Sequence, residues 1–481
     1  MPSTRELDNQ SDSRAAYVLT RILFWAPFFL LFGLIIMPPW KAYMKGHQRI
    51  QDVDEIYWVG QIYYYHLAFE KRDWSHPDWD LLPAKENPVI GKYLIGLGTA
   101  LQGGAVRDMD QLAFFYYIIH DAWGEDAYHL DREAVIDRMQ PHTKHMLLHC
   151  RSIHWDDGDV FVEARNVMVY FGWLGVAGIF LLVRQFGHRV TAMLAASVFM
   201  LHPSIVRSYT SVRVDIFACV FILATVALFA LMDRAVWERS ARPRLWRGVV
   251  CACAAVTLAL GVGSKLNTAL IGILGCCLCV RSLIRYRLFK ERNSLDFFWC
   301  MTGVLFASAA IFIVSNPATA GSPINGVRDS YVEAQRSLDA QKSLWGDALH
   351  NVGERVLSIA ELSAFHPLAF WAVALFVAAH LAACIRHRKE PSILAVWWLV
   401  SFVGVALWLP YHRPLHVLPV TLANIVLACL AGEWALRAAV SRWIGSVDAV
   451  MGRFPFREGF SLPRWRSVAP SSGTVDSGGE S

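Results

Sequence analysis

The stretch DVDEIYWVGQIYYYHLAFEKRDWSHPDWDLLPAKENPVIGKYLIGLG, residues 52–98, follows the first long apolar run and combines acids, aromatic residues, histidines and proline turns. It begins with the carboxylates Asp52, Asp54 and Glu55. Carboxylates this close repel one another and are stable only in water, beside a cation, or where one of them keeps a proton. The acids therefore indicate either a solvated helix start, which the helix dipole favours, or a site that draws cations from elsewhere in the chain.

The rest of this stretch predicts two helices. Aromatic and aliphatic residues continue to Phe69 in a pattern that indicates a helix. The turn Glu86-Asn87-Pro88 then leads into a second apolar helix. These helices belong to a long hydrophilic segment that ends only near residue 164.

The composition indicates a multi-pass membrane protein. Of the 481 residues, 55% are hydrophobic and only 18% are charged. The apolar residues lie in runs long enough to cross a bilayer. Nine of the ten cysteines fall in or at the ends of these runs, which argues against a disulfide framework. We predict about ten transmembrane helices, near residues 17–39, 166–185, 190–206, 214–232, 248–263, 266–283, 296–315, 366–385, 393–410 and 414–434.

The distribution of cations predicts the orientation. If residue 1 is cytoplasmic, the inner loops between spans carry fifteen Lys and Arg residues and the short outer loops carry four. Cytoplasmic loops are enriched in Lys and Arg, so we predict cytoplasmic N- and C-termini. The four outer cations are Arg207, Arg213, Lys265 and Arg413.

This orientation divides the chain into seven segments. They are a cytoplasmic N-terminal tail (1–16), the first transmembrane helix (17–39), a large extracytoplasmic loop with the acidic motif and juxtamembrane helices (40–164), transmembrane helices two to seven (165–315), a second extracytoplasmic loop (316–365), transmembrane helices eight to ten (366–435) and a cytoplasmic tail (436–481). The tail is rich in Gly, Ser and Pro and is predicted to be disordered.

The second half of the first loop is rich in histidine. His142, His145 and His149 are spaced by three and four residues, which would place them on one face of a helix and suggests zinc. No cysteine or carboxylate completes a familiar ligand spacing, so surface histidines are the favoured interpretation. The role of this segment stays open.

Charged residues collect at the predicted outer ends of the spans. Asp215 and the four outer cations lie on the same side of the membrane as Asp54. A single cation there is explained by snorkelling, but four cations facing an acidic loop favour a site. Carboxylates beside cations suit a reaction in which a hydroxyl attacks and a phosphate leaves, because the carboxylate takes the proton while Arg and Lys stabilise the phosphate charge.

The alternative is a transporter or flippase of a lipid-linked or anionic substrate. Transporters usually place ionisable groups near mid-membrane on broken helices, and their halves repeat. The predicted span centres are apolar here, and the large first loop has no later counterpart. Both features favour an enzyme.

Seven short motifs occur in a definite order along the chain. They are Asp54-Glu55 with Tyr57, Glu86-Asn87-Pro88-Val89-Ile90-Gly91-Lys92, Ala164-Arg165, Ser211-Val212-Arg213-Val214-Asp215, Gly261-Val262-Gly263-Ser264-Lys265-Leu266-Asn267, Ser315-Asn316-Pro317, and Tyr411-His412-Arg413-Pro414 with Pro419. Over about residues 17–435 this order resembles the GT-C superfamily of lipid-carrier-dependent glycosyltransferases, in the branch of protein O-mannosyltransferases and lipid A aminoarabinose transferases. The second motif differs from the usual family turn at Asn87 and Val89, which argues against a mannosyl donor and a protein acceptor.

The resemblance implies an all-α GT-C fold and an inverting transfer of a sugar from a polyprenyl phosphate to a hydroxyl on a lipid, glycan or protein. It implies that Asp54 is the general base, that Glu55 helps it or contacts the acceptor, and that Asp215 orients the sugar. The remaining roles are donor-phosphate binding by Lys265, Arg413 and Arg213, and substrate binding by Tyr57, Glu86, Lys92 and His412.

The resemblance requires no cofactor. A divalent metal held by Asp52 and Asp54 is the alternative use of that pair. The expected partners are the lipid-linked donor, a hydroxyl acceptor and membrane lipids, with no nucleic acid. The expected location is the plasma membrane of a bacterium, with transfer on its outer face.

Overall fold

The computed structural model describes residues 53–80, 84, 88–107, 158–233, 243–290, 292–320, 322–329, 331–332, 351–387, 390–408 and 416–451. Several predictions concern residues outside these ranges: the first span at 17–39, Asp52, Glu86, the histidines from His120 to His154, the pair His412 and Arg413, and the tail from residue 452 onward. They stay predictions.

The described part of the chain is helical and contains no strand. Its main helices are α1 (Val53–Gly60), α2 (Ile90–Ala100), α3 (Gly158–Phe186), α4 (Arg189–Leu201), α5 (Pro203–Thr210), α6 (Asp215–Asp233), α7 (Pro243–Ser264), α8 (Ala269–Phe289), α9 (Arg292–Ser315), α10 (Val352–Leu362), α11 (Pro367–Arg386), α12 (Ile393–Trp408) and α13 (Leu418–Met451). Short helical turns cover Tyr63–Tyr65, His66–Glu70, Pro77–Asp80, Leu266–Thr268 and Pro317–Ala320.

Seven helices in the described ranges are long and apolar enough to cross a membrane. They are Val160–Phe186, Asp215–Asp233, Arg244–Ser264, Leu266–Leu288, Asn293–Ser315, Pro367–Arg386 and Leu418–Ser441. A shorter apolar helix covers Ile393–Leu407. The chain is therefore compatible with an all-α, multi-pass membrane protein.

The predicted continuous span over residues 190–206 is broken. Helix α4 ends at Leu201, α5 begins at Pro203, and the two helices meet at an angle of 65°. Proline lacks the N–H that an α-helix needs and disfavours the helical conformation in the residue before it. His202 accordingly has an extended backbone, with φ −67° and ψ 125°.

The core of the bundle is α6, which packs against α3 on one side and α7 on the other. Helix α4 also packs on α3, and α9 packs on both α7 and α8. The short helix α2 lies against α3 and α7. A Cβ atom at Gly263 would lie 2.2 Å from the Ile90 side chain, so glycine allows this close approach. Helix α2 is thereby fixed against the ends of the membrane helices.

Two local features differ from the sequence-based expectation. The predicted helix through Phe69 is interrupted after Gly60 and ends in a π-helical turn over His66–Glu70. Helix α13 continues to Met451, beyond the boundary expected near residue 435. The chain divides into a unit that ends at Glu433 and a second one from Trp434 onward. All the contacts discussed below lie in the first unit.

Candidate functional site

The first feature of the site is a buried ion pair that joins the hydrophilic loop to the membrane helices. Glu55 on α1 is fully buried, and Arg165 near the start of α3 is 1% exposed. Arg165 Nε donates to Glu55 Oε1 at 2.9 Å, and Arg165 Nη2 donates to Oε2 at 2.7 Å. The backbone N–H of Val212 donates to Oε1 at 3.0 Å. Bidentate, charge-assisted contacts of this kind fix geometry strongly.

The second feature is an ion pair between Asp215 and Lys265, whose Nζ donates to Oδ1 of the aspartate. Asp215 is the first residue of α6, where the helix dipole stabilises a carboxylate. Lys265 has an extended backbone between the end of α7 and the Leu266–Thr268 turn. The Asp215 side chain is only 5% exposed, whereas the Lys265 side chain is 20% exposed and is therefore not fully buried.

Helix α2 lies beside this second pair. A Cβ atom at Gly91 would lie 2.5 Å from Val214 Cγ1 and 3.5 Å from the carbonyl oxygen of Ser264. These two neighbours immediately precede Asp215 and Lys265 in the chain. Only glycine leaves room for α2 at this point, and the next residue along the helix is Lys92.

Lys92 is fully buried, and its Nζ lies 5.0 Å from the centre of the Tyr64 ring. A desolvated cation–π contact of this kind contributes about 2 kcal/mol. Burial raises the pKa values of the Tyr64 and Tyr93 phenols well above their ordinary value. Both phenols are therefore neutral at physiological pH, and the contact between Lys92 and the Tyr64 ring is one of a cation with a neutral aromatic group.

The structure brings together most of the described residues that were predicted to form a site. Glu55 contacts the segment that contains Arg213 and Asp215, and Asp215 contacts Lys265. Arg213 is 5% exposed. Tyr57 is half-buried on α1, two residues after Glu55, with its ring 5.4 Å from that of Trp58.

The remaining predicted residues are not placed. Asp54 precedes Glu55 in α1, but its side chain lies outside the described set. Asp52, Glu86, His412 and Arg413 lie outside the described residues altogether.

The structure gives Glu55 and Lys92 internal contacts, and the catalytic and substrate-binding roles predicted for them stay predictions. Both carboxylate oxygens of Glu55 already accept hydrogen bonds, so this residue holds α1 in place. Lys92 is fully buried, which suits a structural cation better than a direct substrate contact.

Sequence reasoning did not list Arg165 among the site residues, although it is part of one of the ordered motifs, Ala164-Arg165. The available signal was a cation at the predicted outer end of an apolar helix, where the positive-inside rule disfavours it. Its partner lies 110 residues away in the chain. Local spacing therefore gave no indication of the pair.

The arrangement can bind an anion at the end of the helices. An ammonium group has three N–H donors, and Asp215 accepts from Lys265 Nζ through Oδ1. Donors remain that can bind a phosphate oxygen. Among the described residues no group of three or more His, Cys, Asp and Glu residues could hold a metal ion. Asp52 and the side chain of Asp54, the alternative metal ligands, lie outside the described part of the chain.

A cavity of about 140 Å³ whose lining includes several charged side chains lies at the other end of the same helices. Its charged residues form the pairs Arg247–Asp296, Arg281–Asp233 and Arg285–Glu390. Arg247 and Lys265 are 18 residues apart, which corresponds to about 27 Å along a helix. The cavity is therefore separate from the candidate site, and each of its arginines has an acidic partner.

Comparison with protein-family models, with curated proteins and with solved structures found no match to this chain.

Proposed function

We propose that this chain is an inverting glycosyltransferase that moves a sugar from a polyprenyl phosphate to a hydroxyl acceptor on the extracytoplasmic side of a membrane. The observation that carries the proposal is the assembly of two acid–cation pairs, Glu55–Arg165 and Asp215–Lys265, at one end of a bundle of apolar helices. A lipid phosphate lies at the depth where such a bundle meets water. Cations at this boundary are therefore well placed to bind it.

The proposed fold is of the GT-C type, with about ten membrane spans. The spans in this proposal are the seven long apolar helices, the bent pair α4–α5, the short apolar helix α12 and the predicted span at residues 17–39. The hydrophilic loop between the first two spans supplies α1 and α2. It thus supplies the acidic motif as well.

The proposed reaction is a single displacement at the anomeric carbon. The acceptor oxygen forms a bond to this carbon while the bond from the carbon to the phosphate oxygen breaks. The electron pair leaves with the phosphate. Lys265, Arg213 and Arg413 match the charge of this leaving group. The proton of the acceptor hydroxyl passes to Asp54, as expected for a general base. A phosphate whose charge is matched is a good leaving group, so no strong general acid is needed.

The Glu55–Arg165 pair has a positioning role in this proposal. It fixes the helix that carries Asp54 against the turn that carries Arg213 and Asp215. Asp215 in turn holds the Lys265 ammonium group at the surface of the site. The base and the phosphate-binding cations are then preorganised, as a displacement reaction requires.

A transporter or flippase is the second candidate, and the bent pair α4–α5 favours it. Transporters build their substrate sites from helices broken within the membrane. The break here contains His202, which is 2% exposed and has its ring 4.9 Å from that of Phe365. A carboxylate or phosphate ligand would need a cation at the break, whereas the ion pairs described above lie beyond it. The glycosyltransferase is therefore the better supported function.

The test is donor binding to the purified protein in lipid nanodiscs. Lys265→Ala should weaken binding of a polyprenyl-phosphate sugar by about 1.5–3 kcal/mol, the range of a charge-assisted hydrogen bond. Lys265→Arg keeps the charge and should retain part of the affinity. Lys290→Ala is the control, because Lys290 is an exposed cation at the far end of α8.

Two results would contradict the proposal. One is wild-type donor affinity in a folded Lys265→Ala variant. The other is flux of the lipid-linked sugar across liposomes without any transfer to an acceptor, which would assign the chain to the transporter class.

A further inference from the structure

The chain between α1 and α2 forms an aromatic cluster with the first turn of α2. The cluster has one open side and is here called the aromatic platform: Tyr64, Phe69, Trp74, Trp79 and Tyr93. Phe69 is 47% exposed and Trp74 is 43% exposed, whereas the other three side chains are buried. The Trp74 and Trp79 rings are stacked, with centres 6.5 Å apart and planes at 19°. Trp79 lies 5.1 Å from Tyr64, and Phe69 lies 5.0 Å from Tyr93. The exposed rings thus rest on a buried aromatic layer.

Hydrogen bonds fix the buried layer. Trp79 Nε1 donates to the carbonyl oxygen of Asp73 at 2.9 Å. Tyr63 donates to Asp78 Oδ2 at 2.7 Å, and the Tyr64 hydroxyl donates to the carbonyl oxygen of Asp78 at 3.1 Å. An aromatic surface that is already ordered loses little entropy when a ligand stacks on it. The platform is therefore preorganised.

Polar groups flank the exposed rings in the chain. His66 Nδ1 and Glu70 Oε2 are 2.5 Å apart. Asp73 Oδ1 accepts from the Ser75 hydroxyl at 3.1 Å. Glu70 and Ser75 are exposed. Carboxylates and hydroxyls are the side chains that exchange hydrogen bonds with the hydroxyl groups of a ligand.

The platform adjoins the candidate site. The Tyr64 ring contacts Lys92, and Tyr93 is the next residue on α2. Gly91, one residue earlier, packs against the chain just before Asp215. A molecule that lies on the platform can therefore extend toward the site where transfer is proposed.

We propose that the aromatic platform binds the sugar rings of the acceptor, so that the hydroxyl acceptor of the proposed function is a carbohydrate. The proposal rests on that function. One face of a pyranose ring consists of C–H groups that stack on an aromatic ring, while its hydroxyl groups point outward and hydrogen-bond to carboxylates. Phe69 and Trp74 supply the ring faces, and Glu70 and Asp73 supply the acceptors.

A lipid surface is the competing occupant, because tryptophan is also enriched at membrane–water interfaces. The stretch between the exposed rings favours the sugar because it offers both kinds of hydrogen-bonding group: Glu70 and Asp73 accept from hydroxyl groups, and the exposed cations Lys71 and Arg72 donate to them. An exposed tryptophan on a helix that is long and apolar enough to cross a membrane is available for comparison. Trp299 on α9 is 63% exposed and serves this purpose.

Fluorine NMR of the full chain, labelled with fluorotryptophan in lipid nanodiscs, distinguishes the two occupants. The Trp74 resonance is assigned by its loss in Trp74→Phe, and the Trp299 resonance by its loss in Trp299→Phe. The probes are the soluble trisaccharides maltotriose, cellotriose, mannotriose and chitotriose, followed by a lipid with a nitroxide on its acyl chain. At least one trisaccharide should shift the Trp74 resonance and leave the Trp299 resonance in place. The nitroxide lipid should broaden Trp299 and not Trp74.

Saturation-transfer NMR of the trisaccharide that responds then measures affinity. Trp74→Ala should weaken binding about 3- to 10-fold, the effect of losing one aromatic contact. Trp74→Phe should keep most of the affinity, and Trp299→Ala should keep all of it. Broadening of Trp74 by the nitroxide lipid, or no response of Trp74 to any of the four trisaccharides, would overturn the proposal. No donor is present in these measurements, so this result is independent of the donor-binding test of the proposed function.

Discussion

The Glu55–Arg165 pair gives the sharpest prediction for stability. The two side chains are 0% and 1% exposed, and the carboxylate accepts two hydrogen bonds from the guanidinium and one from the Val212 N–H. Arg165→Met removes the cation and leaves the carboxylate buried. Breaking a buried ion pair from one side costs about 3–5 kcal/mol, because the remaining charge is uncompensated. Glu55→Gln leaves the guanidinium buried and should cost a similar amount.

The double variant isolates the interaction energy between Glu55 and Arg165 from the contacts that each residue makes with its surroundings. Glu55→Gln with Arg165→Met removes both charges, so its cost should be smaller than the sum of the single costs by about 0.5–3 kcal/mol. The free energy of unfolding is measured by circular dichroism in mixed micelles of increasing denaturing detergent. The matched control is Arg247→Met, which breaks the Arg247–Asp296 pair. Those side chains are 28% and 45% exposed, so the change should cost about 0.2–1 kcal/mol. Equal losses at the two pairs, or additive single variants, would refute this reasoning.

Three further predictions follow from the packing, the base and the orientation. Gly91→Ala should destabilise the fold by about 1–3 kcal/mol, since its Cβ would lie 2.5 Å from a neighbouring side chain. Gly272→Ala is the control and should not destabilise the fold, because a Cβ atom at Gly272 would have no neighbour within 4 Å. The two variants are compared by thermal unfolding. Asp54→Asn should lower sugar transfer by about 10²–10⁴-fold while donor binding survives. Activity that chelation abolishes and Mn²⁺ restores would move this residue to a metal-binding role. In a chain that also carries Cys150→Ser, membrane-impermeant thiol labelling of whole cells should modify Ser75→Cys and not Ser240→Cys, and the reverse pattern would refute the predicted orientation.

The apolar helices could be predicted from the sequence because their signal is local. Runs of about twenty apolar residues have few alternatives to a helix in a membrane. The helices Val160–Phe186 and Asp215–Asp233, for example, cover the runs predicted near 166–185 and 214–232. The break between Leu201 and Pro203 also had a local signal, the proline itself. Hydropathy alone does not detect it, because the two helices taken together are apolar enough to pass as one span.

The pairing of charges could not be predicted in the same way. Glu55 and Arg165 are 110 residues apart, and Asp215 and Lys265 are 50 apart. Which acid meets which cation depends on how α1 and α2 pack against the helix ends. Lys92 lies against Tyr64, which belongs to a different turn, so the local sequence did not indicate that this lysine is buried. The sequence located charged residues at helix ends, whereas the tertiary packing determined their partners.

The most direct test of the central claim is the donor itself. Lipid extracts are compared by mass spectrometry between cells that lack the protein and the same cells that express wild-type chain or the Asp54→Asn variant. Deletion should cause a polyprenyl-phosphate sugar to accumulate, wild-type chain should remove it, and Asp54→Asn should not. Identical polyprenyl-phosphate sugar levels in all three extracts would contradict the assignment of this chain as a glycosyltransferase.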